Sequence, residues 1–149
     1  LKPLMTYHAD LKPPVAVGAG PYGTRQIFEV TGGTFEGERL KGTILTGGGD
    51  WLLIDAKGVG HLDVRATFRT HDGAHVYMCY YGTLVVNDEV QKALGAGGET
   101  QYGDTEFFTA PRFETGDERY AWLNHVQAVA EGRVVRGAVE YRVYECVND

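Results

Sequence analysis

The sequence predicts an all-β protein, an antiparallel β-barrel of about nine or ten strands with one short helix. Three observations favour this fold class. Apolar and polar residues alternate along several segments, most clearly along residues 60–70. The 21 glycines of the 149-residue chain are dispersed and separate many short elements. Several predicted strands carry bulky side chains on both faces, as expected for a closed barrel whose strands are covered on both sides.

The first half of the chain is predicted to consist of short strands. Each candidate segment is rich in β-branched, aromatic or alternating apolar residues and is bounded by glycine or proline. These segments are residues 4–11, 25–31, 40–46, 51–55 and 60–70. Gly47-Gly48-Gly49 separates the third segment from the fourth. Three consecutive glycines are expected where the backbone adopts positive φ or passes close to another segment.

A hairpin and the one predicted helix follow. An Asp-Gly turn signal comes after residue 71, and residues 74–84 supply the strand that pairs with the one before it. Residues 86–94 show helical spacing of their apolar positions. We expect Asn87 or Asp88 to cap this helix at its N-terminus and Gly95 to stop it.

The last third of the chain is predicted to be extended. Pro111 interrupts residues 105–115 and indicates an edge strand or a bulge. Residues 119–130 fit a helix about as well as a strand, and the strands on both sides of them favour a strand. Pairing with residues 134–144 through Glu131-Gly132-Arg133 predicts a long C-terminal hairpin.

Composition and charge narrow the class of protein. The chain is 43% hydrophobic and 23% charged, which is ordinary for a globular protein, and we expect one domain over residues 1–149. A net charge of −6 and a pI near 5.3 disfavour nucleic acid and anionic membranes as partners, because such surfaces require a basic excess. Apolar runs are far shorter than the ~20 residues of a membrane span. With no signal-peptide pattern either, the cytoplasm is the expected location.

Cysteine usage and motifs predict neither a metal centre nor a cofactor. Cys79 and Cys146 lack the CxxC spacing of zinc ligands, and we expect them to be buried free thiols. The sequence contains no Walker loop, no dinucleotide-binding glycine signature, no GxSxG and no HExxH. These absences disfavour nucleotide cofactors and standard serine hydrolysis.

Six short motifs occur in an order that resembles the family of small bacterial and fungal β-barrel proteins known as domain of unknown function 3237. The motifs are Gly32-Gly33-Thr34-Phe35-Glu36-Gly37, Gly48-Gly49-Asp50-Trp51, Leu62-Asp63-Val64-Arg65, Asp72-Gly73, Pro111-Arg112-Phe113-Glu114-Thr115 and Tyr120-Ala121-Trp122-Leu123-Asn124. The resemblance covers residues 4–146. It implies a calycin-like barrel, similar to those of allene oxide cyclase, dirigent proteins and spirotetronate cyclase. It transfers no activity, because fold does not imply function.

Three carboxylates are candidates for general acid/base work, namely Asp50, Asp63 and Glu114. Asp50 precedes Trp51, and an apolar shell raises a carboxyl pKa towards neutrality; the alternative is an Asp that closes the glycine turn. Asp63 shares a strand face with Arg65, either as a functional pair or as a structural ion pair. Glu114 follows a proline, and its alternative role is an ion pair at the rim of the barrel.

Six further residues are candidates for substrate binding: Arg65, Trp51, Tyr77, Tyr81, Trp122 and Asn124. Arg65 and Asn124 would hold a developing oxyanion, and the two tryptophans would shape a cavity around a flat substrate. The alternative is that Trp122 is a core residue and Asn124 a satisfied buried amide. We expect six of the candidates to converge on one hollow inside the barrel: Asp50, Asp63, Arg65, Glu114, Trp122 and Asn124.

These residues support two main hypotheses. The first is a cofactor-free acid/base enzyme (an isomerase, cyclase, dehydratase or lyase) acting on a small oxygenated aromatic, polyketide or terpenoid-like molecule in the barrel cavity. The second is a non-catalytic, lipocalin-like binding protein that uses the same cavity. A third, purely structural role has less support. In each case a homo-oligomer, a dimer or trimer, is expected from the aromatic outer faces of the strands.

Overall fold

The computed structural model describes residues 1–149, apart from the side chain of Ala96. Most of the chain is β-strand, as predicted. The strands are β1 (Lys2–Leu11), β2 (Val15–Gly20), β3 (Gly23–Glu36), β4 (Lys41–Ile44), β5 (Gly49–Ile54), β6 (Val59–Thr70), β7 (His75–Val85), β8 (Phe107–Thr109), β9 (Arg112–Glu114), β10 (Ala128–Val135) and β11 (Ala138–Glu145). An α-helix, α1, spans Asp88–Ala96, and a 3-10 helix spans Glu118–His125.

Eight of the strands close into an antiparallel barrel, which confirms the predicted fold class. Their order is β1-β3-β5-β6-β7-β8-β10-β11, and β11 pairs back with β1. β4 pairs with the same two neighbours as β5, so these two short strands share one position in the wall. β2 pairs with β3 and β9 pairs with β7 outside this cycle. The shortest ladder in the cycle joins β8 to β10, where Thr109 pairs with Ala130 and Phe108 with Glu131.

Strand alternation decides which side chains enter the lumen. Along β6 the buried positions include Leu62, Val64, Ala66 and Phe68, as the alternating sequence predicts. The intervening polar residues face outwards. The neighbouring strand β7 has the same inward and outward alternation, because Val64 pairs with the buried Tyr80 and Phe68 with the buried Val76.

Aromatic rings fill one end of the lumen, which we call the aromatic end. The Phe35 ring stacks on the Phe68 ring at 4.7 Å between centroids, and the Tyr7 ring meets Phe68 edge-on at 5.5 Å. The Tyr141 ring lies 4.8 Å from that of Tyr7 and 5.3 Å from that of Phe107. These ring contacts fill that end of the lumen.

The opposite end of the barrel carries α1. The side chain of Asn87 accepts a hydrogen bond from the Val90 N–H at 3.0 Å, so Asn87 is the N-cap. Val90 and Ala93 are buried against the barrel. The predicted stop at Gly95 is wrong, because the helix continues to Ala96 and ends where Gly97 adopts a left-handed φ of 72°. Within the described part of the chain, no helix has the length and apolar character required to cross a membrane.

The predicted strand over residues 119–130 is wrong, because most of it forms the 3-10 helix Glu118–His125. The Asp117 carboxylate caps this helix by accepting a hydrogen bond from the Arg119 N–H at 2.9 Å. Tyr120 and Leu123 are its buried residues. Local capping and this spacing of buried side chains outweigh the strand context that favoured the other interpretation.

The predicted turn of the C-terminal hairpin is also misplaced. The chain reverses at Arg136-Gly137, where Gly137 has a φ of 67°, and not at Glu131-Gly132-Arg133. Gly132 lies inside β10 instead. A Cβ atom there would lie 2.8 Å from the Tyr141 ring and 2.9 Å from the Phe107 ring, so this glycine makes room for core aromatics and does not form a turn.

The two cysteines are free, but their burial differs from the expectation. Cys79 is half-buried on the outer face of β7, and Cys146 is exposed after the last strand. The expectation of two buried thiols is therefore wrong.

The triple glycine behaves as predicted. Gly47 adopts a φ of 100° in the turn between β4 and β5. A Cβ atom on Gly48 would lie 2.5 Å from the Arg65 carbonyl oxygen, so the backbone passes too close to β6 for any side chain. This close approach starts β5 at the position that directs Asp50 into the lumen.

We expect Gly48→Ala to destabilise the protein by roughly 2 kcal/mol or more, because the new methyl group must push the β6 backbone away. The measurement is the free energy of unfolding from urea titration. Gly95→Ala is the control, since its Cβ atom would meet open space in a helix and is expected to be neutral or to stabilise by up to about 1 kcal/mol. Equal stabilities for Gly48→Ala and the parent would contradict the close approach.

Candidate functional site

The barrel lumen holds a cavity of about 50 Å³. Its wall is hydrocarbon except for the carboxyl group of Asp50 and the hydroxyl groups of Tyr7, Tyr80 and Tyr141. An apolar cavity with a few convergent polar groups is the composition typical of a small-molecule site. We therefore take these four residues as the candidate functional site.

Asp50 enters the lumen because of its place on β5. It pairs with Phe28 of β3 and Val64 of β6, both of which point inwards. After the Asp50–Val64 pair, the next β5–β6 pair is Leu53 with His61. Between these two pairs, the Asp63 N–H donates a hydrogen bond to Oδ1 of Asp50 at 3.1 Å. The alternative role of Asp50, closing the glycine turn, is therefore replaced by a bond across the strands.

The surroundings of Asp50 hold its carboxyl group near the midpoint of its titration at neutral pH. Burial among apolar residues raises its pKa from 3.8 to about 7. The hydrogen bond from the Asp63 N–H lowers the pKa, the negative charge of Asp63 raises it, and the positive charge of Arg25 lowers it by a smaller amount. Burial is the largest of these effects, so the carboxyl group both accepts and releases a proton near pH 7.

The three tyrosines face Asp50 across the cavity and remain protonated. Their rings are in contact, with centroids 4.8 Å apart for Tyr7 and Tyr141 and 5.6 Å apart for Tyr80 and Tyr141. Burial raises the pKa of each hydroxyl well above the usual 10.0, and the charge of Asp50 acts in the same direction. Each hydroxyl is thus a neutral hydrogen-bond donor at physiological pH.

The hydroxyl of Tyr7 is the group in this site most clearly available to a ligand. It is fully buried. The Tyr80 hydroxyl is close enough to raise its pKa, but neither Tyr80 nor any other described residue meets the distance and angle of a hydrogen bond with it. A buried polar group without a partner costs free energy until a water molecule or a ligand supplies one. A ligand oxygen placed beside Asp50 would satisfy it.

An open groove adjoins the cavity at the α1 end. The groove, which we call the mouth, encloses about 790 Å³ between α1, the β1–β2 connection, β3 and the β10–β11 turn. Five apolar residues line both the cavity and the mouth: Leu11, Phe28, Leu94, Val134 and Ala138. The mouth and the cavity are therefore separated by no more than these side chains.

The predicted pair Asp63 and Arg65 lies on the outside of the barrel. Their closest charged atoms, Oδ1 of Asp63 and Nη2 of Arg65, are 3.9 Å apart, and the two side chains are 38% and 52% exposed. The Arg65 guanidinium lies 5.5 Å from the centre of the Trp51 ring, which is also on the outer face. This is the arrangement of a surface ion pair, which contributes little to stability.

A second set of predicted residues lines a separate outer groove of about 510 Å³. Tyr77 pairs with Glu114, and both lie in this groove with Asn124. The Asn124 amide has a structural role, because its Oδ1 accepts from the Thr115 N–H at 2.8 Å and its Nδ2 donates to the Thr115 carbonyl at 3.0 Å. The amide of Asn124 is satisfied, as the alternative predicted, but the residue is exposed and not buried.

The two remaining aromatic candidates also lie outside the lumen. Trp122 is partly buried beneath the guanidinium of Arg39, which lies 4.1 Å from the ring centre. Tyr81 is 72% exposed on β7. The expectation that Asp50, Asp63, Arg65, Glu114, Trp122 and Asn124 converge on one hollow is therefore wrong. Of the candidates, Asp50 alone reaches the lumen. A substrate role for the others stays a prediction, and they do not share a cavity with Asp50.

The error has a physical cause in strand parity. The polar face of residues 60–70 was expected to line the cavity, whereas the apolar face does so. The missed residues Tyr7, Tyr80 and Tyr141 occupy apolar-parity positions, as Tyr80 does two residues after the buried Met78. A tyrosine on an otherwise hydrocarbon strand face was the signal that could have identified them. In the described part of the chain, no cluster of three or more His, Cys, Asp or Glu side chains is placed to hold a metal ion.

Comparison with known proteins matches this chain to uncharacterised barrels. The family described as protein of unknown function (DUF3237) matches residues 1–146. A UPF0311 protein of Rhodopseudomonas palustris is 36% identical over 107 residues, which is 70% of each chain. A crystal structure of a β-barrel-like protein from Acinetobacter baumannii has 37% sequence identity and a TM-score of 0.83 over 97% of this chain and 94% of that one.

Two fungal proteins are more distant. A protein of Penicillium roqueforti named PR-toxin biosynthesis cluster protein 7 is 26% identical over 139 residues, covering 79% of this chain and 74% of the relative. The crystal structure of an enzyme from Penicillium herquei superposes with a TM-score of 0.62 over 96% of each chain. Its sequence identity is 18%, so this likeness concerns the fold alone.

We expect the raised pKa of Asp50 to make the protein less stable as pH rises from about 4 to about 7. In that interval the folded protein retains a proton that the unfolded chain has lost, so the free energy of unfolding falls by up to about 1.4 kcal/mol per pH unit. Asp50→Asn removes this contribution. Between pH 5 and pH 7 the parent should lose of the order of 2 kcal/mol relative to Asp50→Asn in urea titrations.

Asp149→Asn is the control for this measurement, because Asp149 is exposed at the C-terminus and should leave the pH dependence of the parent unchanged. Parallel stability curves for the parent and Asp50→Asn would show that the Asp50 carboxyl titrates at its ordinary value.

Proposed function

The chain belongs to the DUF3237 family of proteins of unknown function, and from that premise we propose that it is a cofactor-independent acid/base enzyme acting on a small oxygenated molecule in the barrel lumen. Asp50 is the proposed acid/base group, and the hydroxyls of Tyr7, Tyr80 and Tyr141 are the proposed binding groups for a substrate oxygen. The reaction class is an isomerisation, cyclisation, dehydration or lyase reaction that proceeds by proton transfer.

The observation that carries this proposal is a single carboxyl group with a pKa of about 7 in an apolar cavity. A general acid or base is most effective when its pKa lies near the working pH, because it is then present in the required form and still transfers its proton readily. Burying a carboxyl group among hydrocarbon opposes folding, and a purely structural lumen has no need of one. Perturbed groups of this kind cluster at functional sites.

The chemistry follows from the positions of the four polar groups. The Asp50 carboxylate removes a proton from a carbon next to a substrate carbonyl. The electron pair of that C–H bond forms a C=C bond, and the π pair of the C=O bond moves onto the oxygen to give an enolate. The neutral tyrosine hydroxyls donate hydrogen bonds to this oxygen as its negative charge develops. Protonated Asp50 then returns the proton at another atom, or protonates a leaving hydroxyl group, which leaves the enzyme unchanged.

The fungal relatives support an enzyme acting on a small organic molecule. One of them carries the name of a toxin biosynthesis cluster, and the Penicillium herquei protein is described as an enzyme. The second likeness concerns the barrel alone and shows that this fold is compatible with catalysis. The expected dimer or trimer and the cytoplasmic location stay predictions.

The competing function is a non-catalytic binding protein of the lipocalin type. The hydrocarbon majority of the cavity wall favours it, since Asp50 and three tyrosines supply all of the polar lining. In such a protein Asp50 would act only as a hydrogen-bonding group. The two functions differ in what the loss of the carboxyl group does to turnover and to binding.

We expect Asp50→Asn to lower kcat by roughly 100-fold or more while substrate still binds, because the amide cannot take up the proton. Turnover and binding are measured with a panel of hydroxy-ketones, lactones and aromatic acids, by product analysis and by calorimetry. Asp149→Asn is the matched control, since it neutralises an exposed carboxylate that does not line the lumen cavity and should keep the activity of the parent.

Equal turnover by Asp50→Asn and the parent would remove Asp50 from the chemistry and overturn the proposal. Binding by the parent without turnover of any compound in the panel would favour the lipocalin-like protein instead.

A further inference from the structure

We propose that the ligand is an elongated amphiphile whose oxygen-bearing end reaches Asp50 and Tyr7 while its apolar body lies in the mouth beneath α1. Leu94 and Gln91 are then specificity-determining residues. The inference rests on the proposed lumen site, and it goes further by assigning the shape of the ligand and the residues that select it.

The size of the cavity requires a ligand that extends out of the lumen. A volume of about 50 Å³ accommodates a few atoms, whereas sites for whole small molecules typically enclose roughly 300 Å³ or more. The aromatic end is filled by the stacked rings of Phe35 and Phe68. Any ligand that reaches Asp50 therefore leaves most of its body on the α1 side.

The mouth has the volume to hold that body, and it adjoins the lumen cavity. It encloses about 790 Å³ and shares Leu94, Val134 and Ala138 with the cavity. Phe28 also lines both spaces, and it pairs directly with Asp50 across β3 and β5. The inner edge of the mouth therefore lies beside the reactive end.

The lining changes in character from the inside outwards. Leu94, Val134 and Ala138 form an apolar passage, whereas Lys12, Gln91 and Arg136 lie at the outer rim. The two rim cations already have partners, because Lys12 pairs with Glu29 at 2.8 Å and the Arg136 Nε donates to the Gly97 carbonyl at 3.0 Å. The passage thus selects hydrocarbon, and the polar requirement lies at its inner end, on Tyr7 and Asp50.

Three residues of α1 differ in their position relative to this passage. Leu94 lines both the cavity and the mouth, whereas Gln91 lines the mouth but not the cavity. Lys92, beside Gln91, is exposed and lines neither of them. The helix therefore offers a blocking substitution and a matched control on adjacent residues.

The test measures the binding of n-alkyl methyl ketones of increasing chain length by calorimetry. If the body lies in the apolar passage, each added methylene should raise the affinity by up to about fourfold, which is the transfer free energy of about 0.8 kcal/mol per buried methylene. Leu94→Trp and Gln91→Trp should each remove this gain for the longer ketones, whereas Lys92→Trp should retain it.

A further variant separates the polar end from the body. Tyr7→Phe should weaken all the ketones by a similar factor, roughly two- to tenfold, because it removes one hydrogen bond and leaves the passage intact. Gln91→Trp alters only an exposed side chain, so the test stands even if Leu94→Trp fails to fold.

Affinity that does not grow with chain length, or equal growth in Gln91→Trp and Lys92→Trp, would overturn the inference. Failure of the proposed enzyme function gives a different result, namely chain-length-dependent binding without turnover of any substrate. A third result would separate the two proposals: turnover that is lost in Asp50→Asn but is unchanged in Gln91→Trp and Leu94→Trp. It would support the proposed enzyme function and exclude a ligand body in the mouth.

Discussion

Closure of the barrel is the constraint on which the rest of the structure depends. Once eight strands form a ring, every strand must send alternate side chains into a lumen just wide enough for side chains to fill. The inner face is therefore nearly all hydrocarbon, and each polar exception has a large energetic effect. Asp50 is such an exception, and its pKa near 7 follows from that position. The same carboxyl group one residue further along the strand would face water.

The interior is divided into a rigid part and an accessible part. Contacts among Tyr7, Phe35, Phe68 and Tyr141 fill one end and fix the positions of the tyrosine rings. At the other end a single short helix, with Val90 and Ala93 as its buried anchors, covers the opening. Precise polar groups thus rest on the well-packed half, while the half that admits a molecule is covered by a small element. Such a division suits a site in which the polar groups must be held rigidly while the opening must admit a molecule.

The sequence predicts this fold well where alternation is regular and poorly where local capping competes with it. The pattern of residues 60–70 identified a strand and its inner face, and the triple glycine marked a real close approach at Gly48. Residues 119–130 had no such pattern, and an Asp117 cap made most of them a 3-10 helix. Asp50 was found because a glycine turn pointed to it. The tyrosines were missed because their partners lie on strands distant in sequence, and only the closed register brings Tyr7, Tyr80 and Tyr141 together.

The short ladder between β8 and β10 determines where local opening of the barrel begins. Only the Thr109–Ala130 and Phe108–Glu131 pairs connect these strands, and β8 is joined to β7 by only three pairs, whereas the β6–β7 and β10–β11 ladders are much longer. Local opening of a protein starts where the fewest backbone hydrogen bonds must be broken. The ring is therefore weakest at β8, and opening between β8 and β10 would leave all eight strands joined as a curved open sheet with β10 at its edge.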